Sequence, residues 1–195
     1  MAKIAPKEMK QEQKRKQSGE VRPIVQSGDP VLRELAQSVS LKDIGTPRID
    51  AVIADMKITL AGQKDGVAIA APQIGVPLRI FVVSGAMLKA ALEHEKLPTD
   101  GIGADLVFIN PTITKLSRDK MPLDEGCLSV RWLYGKVKRS VKATVRAYNE
   151  RGEIIERGAS GLLAQIFQHE TDHLEGTLFI DKATQLEEIP PEKKD

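Results

Sequence analysis

The chain predicts an α+β fold in which mostly antiparallel strands pack around a late helix carrying the pattern H-E-x-x-H. Three observations lead there. Apolar residues recur at helical spacing between residues 46 and 62, several short strand patterns follow, and a second helical run begins near Ser160.

Taken in order, residues 1–20 are charged and Gln-rich around Lys14-Arg15-Lys16, with too few apolar side chains to pack, and read as a disordered or extended segment. A single catalytic domain is expected over 21–184, with a short C-terminal tail over 185–195. Gly28-Asp29-Pro30 marks a turn and 31–36 a short helical turn. Thr46-Pro47 reads as an N-cap with proline at the first helical position, and Ile49, Val52, Ile53, Met56 and Leu60 form one helix face that fades near Gly62. Arg79-Ile80-Phe81-Val82-Val83 reads as a buried strand, 86–92 as a helix, and the stretch around His94 as surface loop. Leu106-Val107-Phe108-Ile109 is a strand ended by Asn110-Pro111, with 112–116 as a continuation. Val141, Ala143, Val145 and Ala147 alternate with polar residues, the mark of a half-buried strand, and 149–152 is a hairpin turn. The last helix has Ser160 as candidate N-cap, Leu162, Leu163, Ile166 and Phe167 as its apolar first half, and Gly176 as its stop.

Composition narrows the function. With 195 residues and 41% apolar content the chain can bury one real core. Six of its 29 Lys/Arg and three of its 27 Asp/Glu fall in the first twenty residues, which leaves 23 basic against 24 acidic beyond them. Charge therefore gives no reason to expect nucleic-acid binding. One cysteine excludes an internal disulfide, no run is apolar enough to span a membrane, and a cytoplasmic protein is expected.

His169 and His173 lie four residues apart, so a helix puts both imidazoles on one face, one turn apart, where they can grip one metal ion. Glu170 sits beside them and can reach a water on that ion without being a ligand. A catalytic site of this kind needs a third protein ligand. The metzincin continuation fails, because Phe179 stands where its last histidine belongs. Glu187 or Glu188 would serve a thermolysin-like protease, but they lie in a Pro- and Glu-rich tail that reads as too loose to mount a ligand. Cys127, in Glu125-Gly126-Cys127-Leu128-Ser129, reads equally as a small buried hydrophobe or a soft ligand when taken alone, and the two-histidine helix tips it toward ligand.

Three stretches in order, Gly66-Val67-Ala68-Ile69-Ala70-Ala71-Pro72-Gln73, Glu125-Gly126-Cys127-Leu128-Ser129 and Gln168-His169-Glu170-Thr171-Asp172-His173, resemble the motifs of the peptide deformylases. The resemblance implies a divalent metal held by Cys127, His169 and His173, usually ferrous iron, with zinc, cobalt or nickel also suited to the donor set. It implies that a metal-bound water attacks the formyl carbon of an N-formylmethionyl peptide, with Glu170 as general base and then acid, releasing formate. Gln73 and the backbone N–H of Leu128 would stabilise the oxyanion. Without the resemblance Gln73 reads as a polar residue closing a loop, Gly66 as a turn glycine and Glu125 as a surface carboxylate. With it, Gly66 lets the loop approach substrate, Glu125 braces the site, and Val67, Leu123, Leu162 and Ile166 receive the methionine side chain. The expected partners are nascent N-formylmethionyl peptides, with transient ribosome association and neither DNA nor membrane.

The chain also departs from the family pattern. Ala68 stands where glycine is usual, Arg131 where proline is frequent, and the Trp132-Leu133-Tyr134 run that follows is unusually bulky. These differences bear on peptide preference and the shape of the entrance.

Overall fold

A computed structural model of the chain describes residues 19–99 and 103–190. The expectation of a disordered segment over 1–20 falls outside them except at its end. There the N–H of Glu20 donates to buried Asp55 Oδ1 at 2.7 Å, and Arg22 donates through Nε to Asp55 Oδ2 at 2.7 Å and through its backbone N–H to Thr59 Oγ1 at 2.8 Å. Glu20 is thus tied to the body.

Helix α1, Pro47–Ala61, buries Ile49, Ile53, Met56 and Leu60, the face that the spacing predicts. Thr46 is its N-cap, but the hydroxyl donates back to Asp43 O instead of capping the helix. Five strands form one antiparallel sheet: β1 (Ala68–Ala70), β2 (Ile80–Val83), β3 (Leu106–Leu116), β6 (Lys142–Tyr148) and β7 (Ile154–Ser160), in the order β1-β2-β3-β6-β7. Both faces of this sheet are covered near β2, all four of whose residues are buried. Because successive strand residues point to opposite faces, Ile80 and Val82 join the core under α1 with Ile53, Met56, Val107 and Ile109, whereas Phe81 and Val83 join the core under the last helix. In that second core Phe81 stacks on Phe108 with centroids 4.6 Å apart, and Phe167 meets Phe108 edge-on at 5.2 Å.

Helix α2, Gly85–His94, occupies the region expected to hold a helix at 86–92, and exposed His94 is its last residue rather than part of a loop. Strand β3 runs through Asn110-Pro111 with a bulge. Asn110 adopts φ 52 there, and its side-chain amide donates to Val39 O and accepts from Val39 N–H, both at 2.8 Å, which secures the irregularity.

A second antiparallel sheet, in the order β4-β5-β8, consists of β4 (Lys120–Cys127), β5 (Val130–Ser140) and β8 (Thr184–Glu188). Strand β8 corrects the expectation of a loose tail from residue 185: it pairs with β5, Leu133 opposite Glu188, Tyr134 opposite Glu187 and Lys136 opposite Thr184, with a register shift between. Backbone hydrogen bonding holds it where hydrophobic burial cannot, since all of β8 is exposed.

The last helix, α3 (Gly161–Leu174), packs Ala164, Phe167 and Leu174 onto the five-stranded sheet. Gly176, at φ 70, ends it: Thr177 N–H reaches Asp172 O at 2.9 Å and Gly176 N–H reaches His173 O at 3.2 Å, the bonding of a Schellman motif. No helix among the described residues is long and apolar enough to cross a membrane.

A Cβ on Gly176 would lie 2.5 Å from the carbonyl oxygen of Arg33, whereas one on Gly152, at φ 76, would meet nothing nearer than 3.8 Å. Gly176→Ala should therefore cost more than about 2 kcal/mol in chemical denaturation, and Gly152→Ala only about 1 kcal/mol. Equal losses would show that the contact with Arg33 is not what demands glycine.

Candidate metal centre

Strand β4 presents Glu125 and Cys127 on one face, and α3 presents His169 and His173 one turn apart toward them. The ligand atoms of Cys127, His169 and His173 lie within 4.8 Å of one another, with Cys127 Sγ 3.2 Å from His173 Nε2. Bonds of about 2.3 Å to sulfur and 2.0–2.1 Å to nitrogen would put tetrahedral donors roughly 3.3–3.6 Å apart, so a small inward shift suffices. One thiolate and two imidazoles with a fourth position left over suit a catalytic rather than a structural ion.

The surroundings orient the donors. His169 Nδ1 donates to Glu125 Oε2 at 3.0 Å, which leaves its Nε2 to face the cluster. Glu125 is gripped by Arg139, from Nε at 2.7 Å and Nη2 at 2.9 Å, and Arg139 Nη1 reaches Asp172 Oδ2 at 2.6 Å. Asp172 also accepts from Lys182. The Gln165 amide donates to Asp124 O, and that of Gln168 donates to Ser140 O and accepts from Ser140 N–H, so both sheet strands are fastened to α3. Burial pushes the Glu125 carboxyl up, but hydrogen bonds from Arg139 and His169 outweigh it and hold the group at about 2. Burial likewise opposes ionisation of Cys127, yet the charge of His173 and hydrogen bonds from both imidazoles keep the thiol well below its ordinary range, in the thiolate form that binds metals.

Gln73 arrives on the tight turn after β1. Its Oε1 accepts from Ala70 N–H at 2.8 Å, and its Nε2 consequently points at Ser129 Oγ, 3.2 Å away, and Cys127 Sγ, 3.5 Å away. Leu128 sits in the two-residue connection between β4 and β5, its carbonyl accepting from Gln26 Nε2. Glu170 is buried on α3, where burial raises its carboxyl against the pull of both imidazoles. Its Oε2 and His173 Nδ1 are buried without a protein partner.

These groups lie at a cleft of about 280 Å³ lined by Gly66, Val67, Ala68, Gln73, Leu162 and Ile166 on one side and by 124–128 and 130–134 on the other. Of the residues predicted from sequence, Leu123 is the one placed elsewhere. It shares a face of β4 with Glu125 and Cys127 but does not line the cleft. Gly66 has a packing reason: a Cβ there would come within 3.0 Å of Leu60 and 3.1 Å of Leu128. Glu187 and Glu188, the alternative ligands, are exposed on β8 and are not part of the cluster. Arg139 and Gln165 escaped sequence reading, since nothing in their local pattern marks them, and Asp172 and Ser129 were given no role although they lie inside the motifs.

An H-E-x-x-H helix facing a cysteine on an antiparallel hairpin, with a buried carboxylate at a cleft, defines a metal-dependent hydrolase. A family model described as polypeptide deformylase matches residues 21–188. The chain belongs to the peptide deformylase family, enzymes that remove the N-formyl group from nascent peptides. It is 41% identical over 163 residues to the peptide deformylase of Desulforudis audaxviator, covering 84% of this chain and 94% of that one. It is 44% identical to the chloroplastic/mitochondrial peptide deformylase 1A of Arabidopsis thaliana, which shares 82% of this chain but of which this chain spans 60%. The crystal structure of the Thermotoga maritima peptide deformylase superposes with a TM-score of 0.71 at 33% identity, covering 85% of this chain and 99% of that one.

Arg139→Met would strand Glu125 in a buried position without its cation. A loss of about 3–5 kcal/mol in urea denaturation is expected, partly recovered by adding Glu125→Gln, which removes the uncompensated charge. A loss below about 1 kcal/mol would mean that the pair does not hold the two elements together.

Proposed function

We propose that this chain deformylates N-formylmethionyl peptides at a site where Cys127, His169 and His173 hold one divalent ion. The observation that carries this reading is the convergence of those three donors beside the cleft with Glu170 buried next to them. When bound, the ion supplies Lewis acidity toward a water and toward the formyl oxygen. Glu170 takes the proton of the attacking water and delivers it to the departing amine as the C–N bond breaks, so that formate and a free N-terminus are the products. A carboxylate whose burial already favours its protonated form is suited to giving that proton back. Gln73 Nε2 and the Leu128 N–H donate to the developing oxyanion, and the bond from Ala70 keeps the Gln73 amide turned the right way. Val67, Leu162 and Ile166 receive the methionine side chain, and Gly66 brings its loop close to the Leu128 connection.

Within this reading the ion is ferrous iron, a choice that the thiolate and imidazole donors suit as they also suit zinc, cobalt and nickel. The substrate places the enzyme's work beside the ribosome, in transient contact with it, and in the cytoplasm. The single cysteine, engaged at the metal site, suits a reducing compartment. The catalytic unit begins near Val21, and the segment before it is dispensable for chemistry.

Glu170→Gln should retain one metal ion per chain and lose about 10²- to 10⁴-fold in formate release from formyl-Met-Ala-Ser, because it handles protons and is not a ligand. The native enzyme should leave acetyl-Met-Ala-Ser almost untouched, since a methyl must replace hydrogen between Gln73 and the ligands. Near-full activity of the variant, or comparable rates on the two acyl groups, would sink the proposed chemistry. As to the metal, the iron-loaded enzyme should lose activity in air much faster than the nickel-loaded one, by oxidation of the iron or of the Cys127 thiolate. Equal half-lives would count against iron.

A further inference from the structure

Strands β4 and β5 pair without interruption from Lys120 opposite Ser140 to Gly126 opposite Tyr134, and the ladder then jumps to Cys127 opposite Val130. Arg131, Trp132 and Leu133 therefore have no partner on β4 and bulge from the ladder into the lining of the cleft. Bulges beside active sites re-aim side chains. This one is strained as well, because Trp132 adopts φ 67, a conformation that a bulky residue rarely takes.

Several attachments hold the strained segment. Arg131 donates from Nη1 to Asp65 Oδ2 and from Nη2 to Gln63 Oε1, both at 2.7 Å, which ties the bulge to the opposite wall of the cleft. Its guanidinium also lies 5.6 Å from the centre of the Trp132 ring. From behind, Ile189 N–H donates to Trp132 O at 2.8 Å, and Leu133 pairs with Glu188. Despite these supports Trp132 remains 37% exposed. Tyr134 lies beside it, its ring so close over Gly126 that a Cβ there would be 2.7 Å away. None of these residues holds the metal or handles protons. The strained backbone instead leaves an open aromatic surface in the lining of the cleft.

We propose that Trp132 is a specificity-determining residue, the shelf on which the side chains following methionine pack, and that Arg131 is the positioning residue that fixes it. The favoured class of substrate carries an aromatic or large aliphatic residue after methionine. This inference rests on the deformylase reading.

Formate release from formyl-Met-Xaa-Ala and formyl-Met-Ala-Xaa, with Xaa as Phe, Leu or Gly, tests it. The native enzyme should prefer Phe over Gly by about 3- to 10-fold at one position or both, in KM more than in kcat. Trp132→Gly relieves the backbone, so its thermal midpoint should equal or exceed the native one while the preference shrinks to within about twofold. A merely structural tryptophan would do the reverse, with stability lost and preference retained. Trp132 is the only tryptophan in the chain, so its fluorescence reports occupancy directly. The product peptide Met-Ala-Phe-Ala should shift the emission more than Met-Ala-Gly-Ala, and Arg131→Ala should weaken both that shift and the preference. A flat response to Xaa at both positions, or a preference that survives Trp132→Gly, would overturn the proposal. Failure of the native enzyme to release formate from any of these peptides would instead defeat the deformylase reading on which it stands.

Discussion

Arg139 and Glu125 are buried together at the seam between the three-stranded sheet and α3, with side chains 5% and 3% exposed. Desolvating two such charges is costly, and the cost is met only because every arm of the pair is used: Glu125 also binds His169, and Arg139 also binds Asp172. The arrangement fixes distance as well as energy. Glu125 stands two residues before Cys127 on β4, and Asp172 one residue before His173 on α3, so clamping the first pair brings the second to 3.2 Å. The donors are thus set by an ion pair that touches no substrate, in keeping with the general dependence of metal sites on the shell behind their ligands.

Covering the five-stranded sheet on both faces serves the same end. A helix that carried two histidines on a sheet with one bare face would have only its own side chains to anchor it. Here Phe81, Phe108 and Phe167 interlock beneath α3 while α1 closes the opposite face, and close-packed interiors resist small displacements. The mount is accordingly rigid where the chemistry needs it.

Elements that bury an apolar face were legible in the sequence, because burial imposes a period on the residues. That holds for α1, β2, β6 and α3, and the same helical period identified His169 and His173 as neighbours. The β4–β5 hairpin was not legible as a pair of strands. Its inward positions include Glu125, Cys127 and Arg139 beside Val137, so alternation of polar and apolar residues is interrupted where the site is built. Strand β8 lacks any buried residue and left no pattern. Leu123, which the resemblance put in the methionine pocket, shares a strand face with Glu125 and Cys127 but lies outside the lining, because reach along the strand as well as parity decides which residues meet the cleft. Arg139 and Asp172 are defined by partners 14 and 33 residues away, a relation no local pattern encodes.

Strand β8 forms one edge of the small sheet, with β5 on its other side and every residue exposed. An open edge of this kind is a template on which a second chain can add a strand, and extension from copy to copy is how sheets aggregate. Here the edge is short, carries Glu187 and Glu188 in succession, and is followed after Ile189 by Pro190. A second copy docking in parallel register would bring carboxylates against carboxylates, and in either direction the edge ends at a residue with no N–H to offer. The strand that supports the bulge from behind is thereby a poor template for a seam between molecules.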